Sequence, residues 1–191
     1  MNARQTAFYR QARSDWSVFQ HFRPARSRWF SSVHQRWCSV VGLRPFSFPV
    51  CHQLHYLQMC TEKLAKAYYR TTSGSNGHAA FRRFLNDLPL NTAAVKPLGF
   101  ADLAGLTRWQ ASAKKVADAI EDLAPAIADR KNLPNPEYPW PRSAPVDAPV
   151  DHDFVAEFFI HLDAQARCGE PAFLMILDRM VATMQSTAWH L

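Results

Sequence analysis

The chain has 191 residues, of which 48% are hydrophobic and 20% charged, with a formal net charge of +6. That length and apolar content predict one globular domain over 1–191 with a sizeable core, and exclude a wholly disordered polymer. No run of about 18 apolar residues occurs, so no membrane-spanning helix and no membrane partner are expected. The opening Met1-Asn2-Ala3-Arg4-Gln5 leads into polar and aromatic residues, unlike a signal peptide.

Charge is unevenly distributed. Residues 1–86 hold thirteen bases against only Asp15 and Glu62, a balance of +11, while the remainder balances at −5. Such a basic half can face a polyanion, an acidic protein partner, or the acidic half of its own chain.

The first helix is predicted over 5–22, with Phe8, Ala12, Trp16 and Phe19 at helical spacing and Pro24 ending it. Residues 23–49 form a basic, aromatic-rich insert closed by Gly42, Pro45 and Pro49. A second helix is expected over 50–70, its buried stripe being Leu54, Leu57, Cys60, Leu64 and Ala67, with Glu62 and Lys66 a favourable i, i+4 pair. The polar loop 71–77 precedes a short helix over 78–88 that stops before Pro89. Residues 91–106 read as a connection with one helical turn at 101–103.

The cleanest pattern runs over 107–131 through Trp109, Ala113, Val116, Ile120, Leu123 and Ile127, with Pro125 predicting a kink or break. Six prolines mark a loop over 132–149. Asp151 and Asp153 suit the start of a further helix reaching Leu162, and Gly169 and Pro171 turn the chain into a last one with Phe173, Leu177, Met180 and Met184. No strand alternation is found. The fold class predicted is all-α, an up-and-down bundle of five to six helices. The four cysteines form no CxxC pair, and Cys51 and Cys60, about 13.5 Å apart on one helix, are too distant to bridge. A reducing, cytoplasmic compartment is expected.

Two blocks resemble the HEPN (higher eukaryote and prokaryote nucleotide-binding) domains. The first is Ala7 to Trp16, with its alanine, aspartate and aromatic at the spacing of that family's opening helix. The second is Cys51 to Ala67, where Gln58, Glu62, Lys63, Lys66 and Ala67 are similar to the family's glutamine, Glu-Lys and Lys-Ala positions. His78 with Phe81, Phe84 and Leu85 is compatible with the helix that follows. The resemblance covers less than a third of the chain. It implies a helical bundle, usually dimeric, and a family of RNases, nucleotide-binding proteins and toxin or defence components. The chain departs from it in the length of the 23–49 insert. It also lacks the arginine–histidine signature of the RNase members where that is expected, since Arg142 and His152 stand too far apart.

Only Arg28 and His34 fit the arginine–histidine spacing, and they supply the base and the cation that a metal-free RNase needs. They stand ahead of the second helix, not after the third. Arg23, Arg26, Arg28 and Arg36, interleaved with Trp29 and Trp37, are the candidate nucleic-acid contacts, combining phosphate-binding cations with stacking faces. Arg70 and His78 bracket a glycine-containing loop and are candidate phosphate ligands, although no Walker lysine is present. Cys51, His52 and His55 lack a second ligand pair, so no metal is expected. The expectation is a HEPN-like nucleotide- or RNA-binding homodimer without robust catalysis and without a cofactor. The alternatives are a metal-independent endoribonuclease or toxin component, and a protein-interaction module meeting an acidic partner.

Overall fold

The structure, a computed structural model, describes residues 1–22, 50–69, 80–131, 133, 136–137, 172–185 and 189. Among them are six α-helices and no strand: α1 (Ala3–Phe22), α2 (Val50–Tyr68), α3 (Ala80–Asp87), α4 (Leu103–Asp122), α5 (Pro125–Lys131) and α6 (Phe173–Thr183). Two short 3-10 turns, Leu88–Leu90 and Thr92–Ala94, connect α3 to α4. The chain is an all-α bundle. The insert 23–49, the loop 70–79, most of the proline-rich loop 132–149 and the helix expected from Asp151 to Leu162 lie outside the described residues.

α1 begins two residues before the expected Gln5. Asn2 Oδ1 accepts from the Gln5 backbone N–H and Gln5 Oε1 accepts from the Asn2 N–H, both at 2.9 Å, a reciprocal capping box. Of the expected stripe, Ala12, Trp16 and Phe19 are buried, but Phe8 is half-buried and Tyr9 takes the core position. The Tyr9 hydroxyl donates to the Val181 carbonyl at 2.8 Å, which satisfies its polar end.

α1 and α2 run antiparallel, Gln5 meeting the Tyr68 carbonyl at one end and Asp15 lying beside Lys63 and Cys60 further along. The whole expected stripe of α2 is buried. α6 crosses the other flank of α1, where Asp178 accepts from Trp16 Nε1 at 2.8 Å and from Gln20 Nε2 at 2.9 Å. The centre is aromatic. Trp109 stacks on Phe173 with ring centroids 6.2 Å apart, Phe81 meets Phe173 edge-on, and Phe84 lies against Trp189.

α4 starts at Leu103, not Thr107, because Asp102 caps it, its carboxylate accepting from the Gly105 N–H at 2.7 Å. The helical turn expected at 101–103 is therefore the cap and first residue of the long helix. Pro125 divides the 107–131 pattern as expected. It opens α5, where its missing N–H removes no helical bond.

α3 has only eight residues, too few to persist by its own bonds. α4 holds it at both ends. The Arg82 N–H donates to Glu121 Oε1 at 2.6 Å at the start of α3, and Gln110 Nε2 donates to the Leu85 carbonyl near its end. α3 and α4 are thus antiparallel. The end of α3 returns to the end of α2, where Tyr68 meets Phe84 and the Tyr69 hydroxyl donates to Asp87 Oδ2 at 2.6 Å.

Candidate functional site

All the residues expected from sequence to carry chemistry fall on segments outside the described residues. These are the catalytic candidates Arg28 and His34, the nucleic-acid candidates Arg23, Arg26, Trp29, Arg36 and Trp37, and the phosphate candidates Arg70 and His78. One set of polar groups that the described residues bring together lies along the seam between α1 and α2, and it includes positions that carry the HEPN resemblance.

Glu62 is the centre of that seam. Its side chain is only 4% exposed, yet Lys63 Nζ approaches Oε1 at 3.2 Å and Lys66 Nζ at 2.5 Å. Gln58 Nε2 donates to Oε2 at 3.1 Å. A buried carboxylate is tolerable when its lone pairs and its charge are both matched. Here one residue of the same helix donates an amide and two supply ammonium groups, so the pair expected at Glu62 and Lys66 is present with two further members.

Asp15 is the second buried acid, 4% exposed, and it is less well served. Gln11 Nε2 donates to Oδ1 at 2.8 Å, while Oδ2 has no hydrogen-bond partner. Burial pushes the carboxyl above its ordinary value, opposed by the Gln11 bond and by the nearby Lys63 ammonium. The fully buried Cys60 thiol faces this acid and is pushed well up, first by burial and then by the neighbouring Asp15 charge. Such a thiol is inert as a nucleophile.

His55 Nδ1 lies 2.9 Å from Glu137 Oε1, and among the described residues no group of three or more His, Cys, Asp or Glu side chains is placed to hold a metal ion.

The cations of the basic half that lie on described residues divide into two kinds. Those of α2 and α3 are matched by acids: Lys63 and Lys66 by Glu62, Arg82 by Asp118, and Arg83 by Asp87 at 3.9 Å. Arg82 with Asp118 joins the basic half to the acidic half, one of the alternatives the charge distribution left open. α1 differs. Arg4, Arg10 and Arg13 are exposed, and among the described residues none of them meets a carboxylate. The one acid on α1 is the buried Asp15. These three arginines count in the sequence balance but were not singled out by motif. A helical wheel shows the signal: Arg10 and Arg13, about 60° apart, lie away from the Ala12, Trp16, Phe19 stripe.

Comparison of the chain with protein-family models, with curated proteins and with solved structures gives no match.

Proposed function

We propose that the chain is a HEPN-like helical protein that binds nucleotide or RNA through its basic half, as a cytoplasmic homodimer without robust catalysis of its own. The observation that supports this most is the charge pattern of α1: the charged side chains it exposes are all arginines, and among the described residues none of them meets a carboxylate. Unmatched exposed cations with no acid between them favour a phosphate-bearing ligand, because each contact releases condensed counterions. The meeting of Asp15 with Lys63 across the α1–α2 seam, beside Gln58, Glu62 and Lys66, supports the family reading. These are the residues that resemble the family, and they lie together on the first two helices.

Fluorescence anisotropy of a labelled RNA and of a labelled mononucleotide across a salt series, beside an RNA cleavage assay, tests the reading. Binding that weakens steeply with salt and leaves the RNA intact is expected. Cleavage abolished by His34→Ala would favour the endoribonuclease instead. Absence of both would favour a protein-interaction module. Sedimentation at tens of micromolar is expected to show a dimer, and a monomer would remove that part of the reading alone.

A further inference from the structure

The two buried acids of the α1–α2 seam are unequally matched. Glu62 takes two ammonium groups on Oε1, Lys66 at 2.5 Å and Lys63 at 3.2 Å, and an amide from Gln58 on Oε2. Asp15 takes one amide, from Gln11 on Oδ1, and its buried Oδ2 has no hydrogen-bond partner among the described residues. Both acids are almost wholly buried, so bulk solvent does not offset the difference.

The two lysines are held differently. Lys66 stands four residues from Glu62, on the same face of α2, and its ammonium also lies 5.9 Å from the Phe8 ring centroid of α1. Lys63 is the residue next to Glu62, about 100° around the helix, so its stem bends back to make the longer contact. That long flexible stem lets the same ammonium turn elsewhere. Gln5 meets Tyr68, Phe8 meets Lys66 and Asp15 meets Cys60 across the seam, which puts Lys63 between the levels of Phe8 and Asp15. Its charge already reaches the Asp15 carboxyl. The other groups facing Asp15 cannot take its place. Gln11 is neutral, the Cys60 thiol is kept protonated by burial, and His55 is engaged by Glu137 at 2.9 Å. α6 packs on the other flank of α1, where Asp178 is held by Trp16 and Gln20.

We propose that Lys63 is a pH-driven switch between the two acids. While Asp15 holds a proton, Lys63 stays on Glu62 within α2; once Asp15 is ionised, the ammonium turns to Oδ2 and ties α2 to α1. Glu62 retains Lys66 and Gln58 in both states, so it does not become an unpaired buried charge. Burial keeps Asp15 protonated to a higher pH than an ordinary carboxyl, and the nearby ammonium opposes this. The cross-helix pair is therefore absent below the Asp15 titration and present above it. Ionisation of Asp15 still lowers stability, because its folded value is raised, and Lys63 limits that loss.

The test uses the full chain. A double-mutant cycle of Asp15→Asn and Lys63→Met, read by urea unfolding in steps from about pH 4 to about pH 8, isolates the pair. Coupling should be absent at the acid end and reach at least about threefold in the unfolding equilibrium constant above the Asp15 midpoint. In Lys63→Met the Asp15 carboxyl carbon, followed by NMR, should titrate at a pH higher by about one. A measurement on the parent alone keeps the test open if a variant fails to fold. The scalar coupling carried by the hydrogen bond from Lys63 Nζ to the Glu62 carboxyl carbon should give way, through the Asp15 midpoint, to one with the Asp15 carboxyl carbon. Lys66 should keep its coupling to Glu62 throughout. A Lys63 ammonium that stays on Glu62 at every pH overturns the switch. Equal coupling in the cycle at every pH, or none at any, overturns it as well.

Discussion

Glu121 shows how a single buried carboxylate serves as a helix cap from another element and makes stability depend on pH. It is 7% exposed, accepts the Arg82 backbone N–H, and is pushed up to about 7, first by burial and then by the neighbouring Asp118 charge. The folded state therefore binds a proton more tightly than the unfolded chain, whose value is near 4.5. The stability linked to this proton is full below the unfolded value and lost as pH rises through about 7. Glu121→Gln keeps an acceptor for Arg82 and removes the titration. Its urea midpoint should fall less between pH 5 and pH 7.5 than that of the parent, and equal falls would refute the assignment. Asp15, also raised, acts with the same sign. Glu62 is the opposite kind of residue, an acid whose charge is used. Glu62→Gln removes the carboxylate that Lys63 and Lys66 share, leaving Lys63 only the nearby Asp15 charge, and should cost roughly 2 kcal/mol or more. The loss should shrink when Lys66→Met is added, as a double-mutant cycle in urea would show.

At the scale of elements, helices with strong apolar period were legible and their ends were not. The stripe of α2, the period of α4 and α5 and the break at Pro125 follow from spacing and proline chemistry alone. The misplaced starts of α1 and α4 are both side-chain caps, Asn2 with Gln5 and Asp102 with Gly105. Their signals, Asn-x-x-Gln and an aspartate ahead of a periodic run, are in the sequence. The anchoring of α3 by Gln110 and Glu121 was not legible, since it depends on contacts between residues 25 and 39 positions apart. The turn before α4 depends likewise on a distant residue. Gly99 has φ +80, and Arg179 Nη1 donates to the Leu98 carbonyl at 2.7 Å just where a Cβ on residue 99 would fall. Gly99→Ala should therefore cost about 1–3 kcal/mol through backbone strain and displacement of that arginine. Gly105→Ala, in a helical turn where the new Cβ meets nothing closer than 3.4 Å, should be neutral or stabilising. Thermal or urea unfolding of the two variants checks the contrast, and equal effects would contradict it.

For the molecule as a whole, the charge division seen in sequence becomes, among the described residues, a division between cations that meet a carboxylate and cations that do not. Sequence gives the sum for residues 1–86 but not the pairing. Arg82 with Asp118 is a contact between halves that no local pattern announces, and only pairing separates the arginines of α1 from the lysines of α2. The interleaved aromatic and basic residues of 23–49 are legible in a line of sequence, whereas the placement of the α1 arginines is legible only on a helix. The central claim is that RNA docks on the basic half with α1 in contact. Arginine-specific chemical footprinting of the full chain, with and without a single-stranded RNA at low salt, measures this directly. Arg4, Arg10 and Arg13 should be protected from modification by RNA, while Arg108 and Arg130, exposed on α4 and α5, keep their reactivity. Protection of Arg108 and Arg130 with none on α1 would contradict the account.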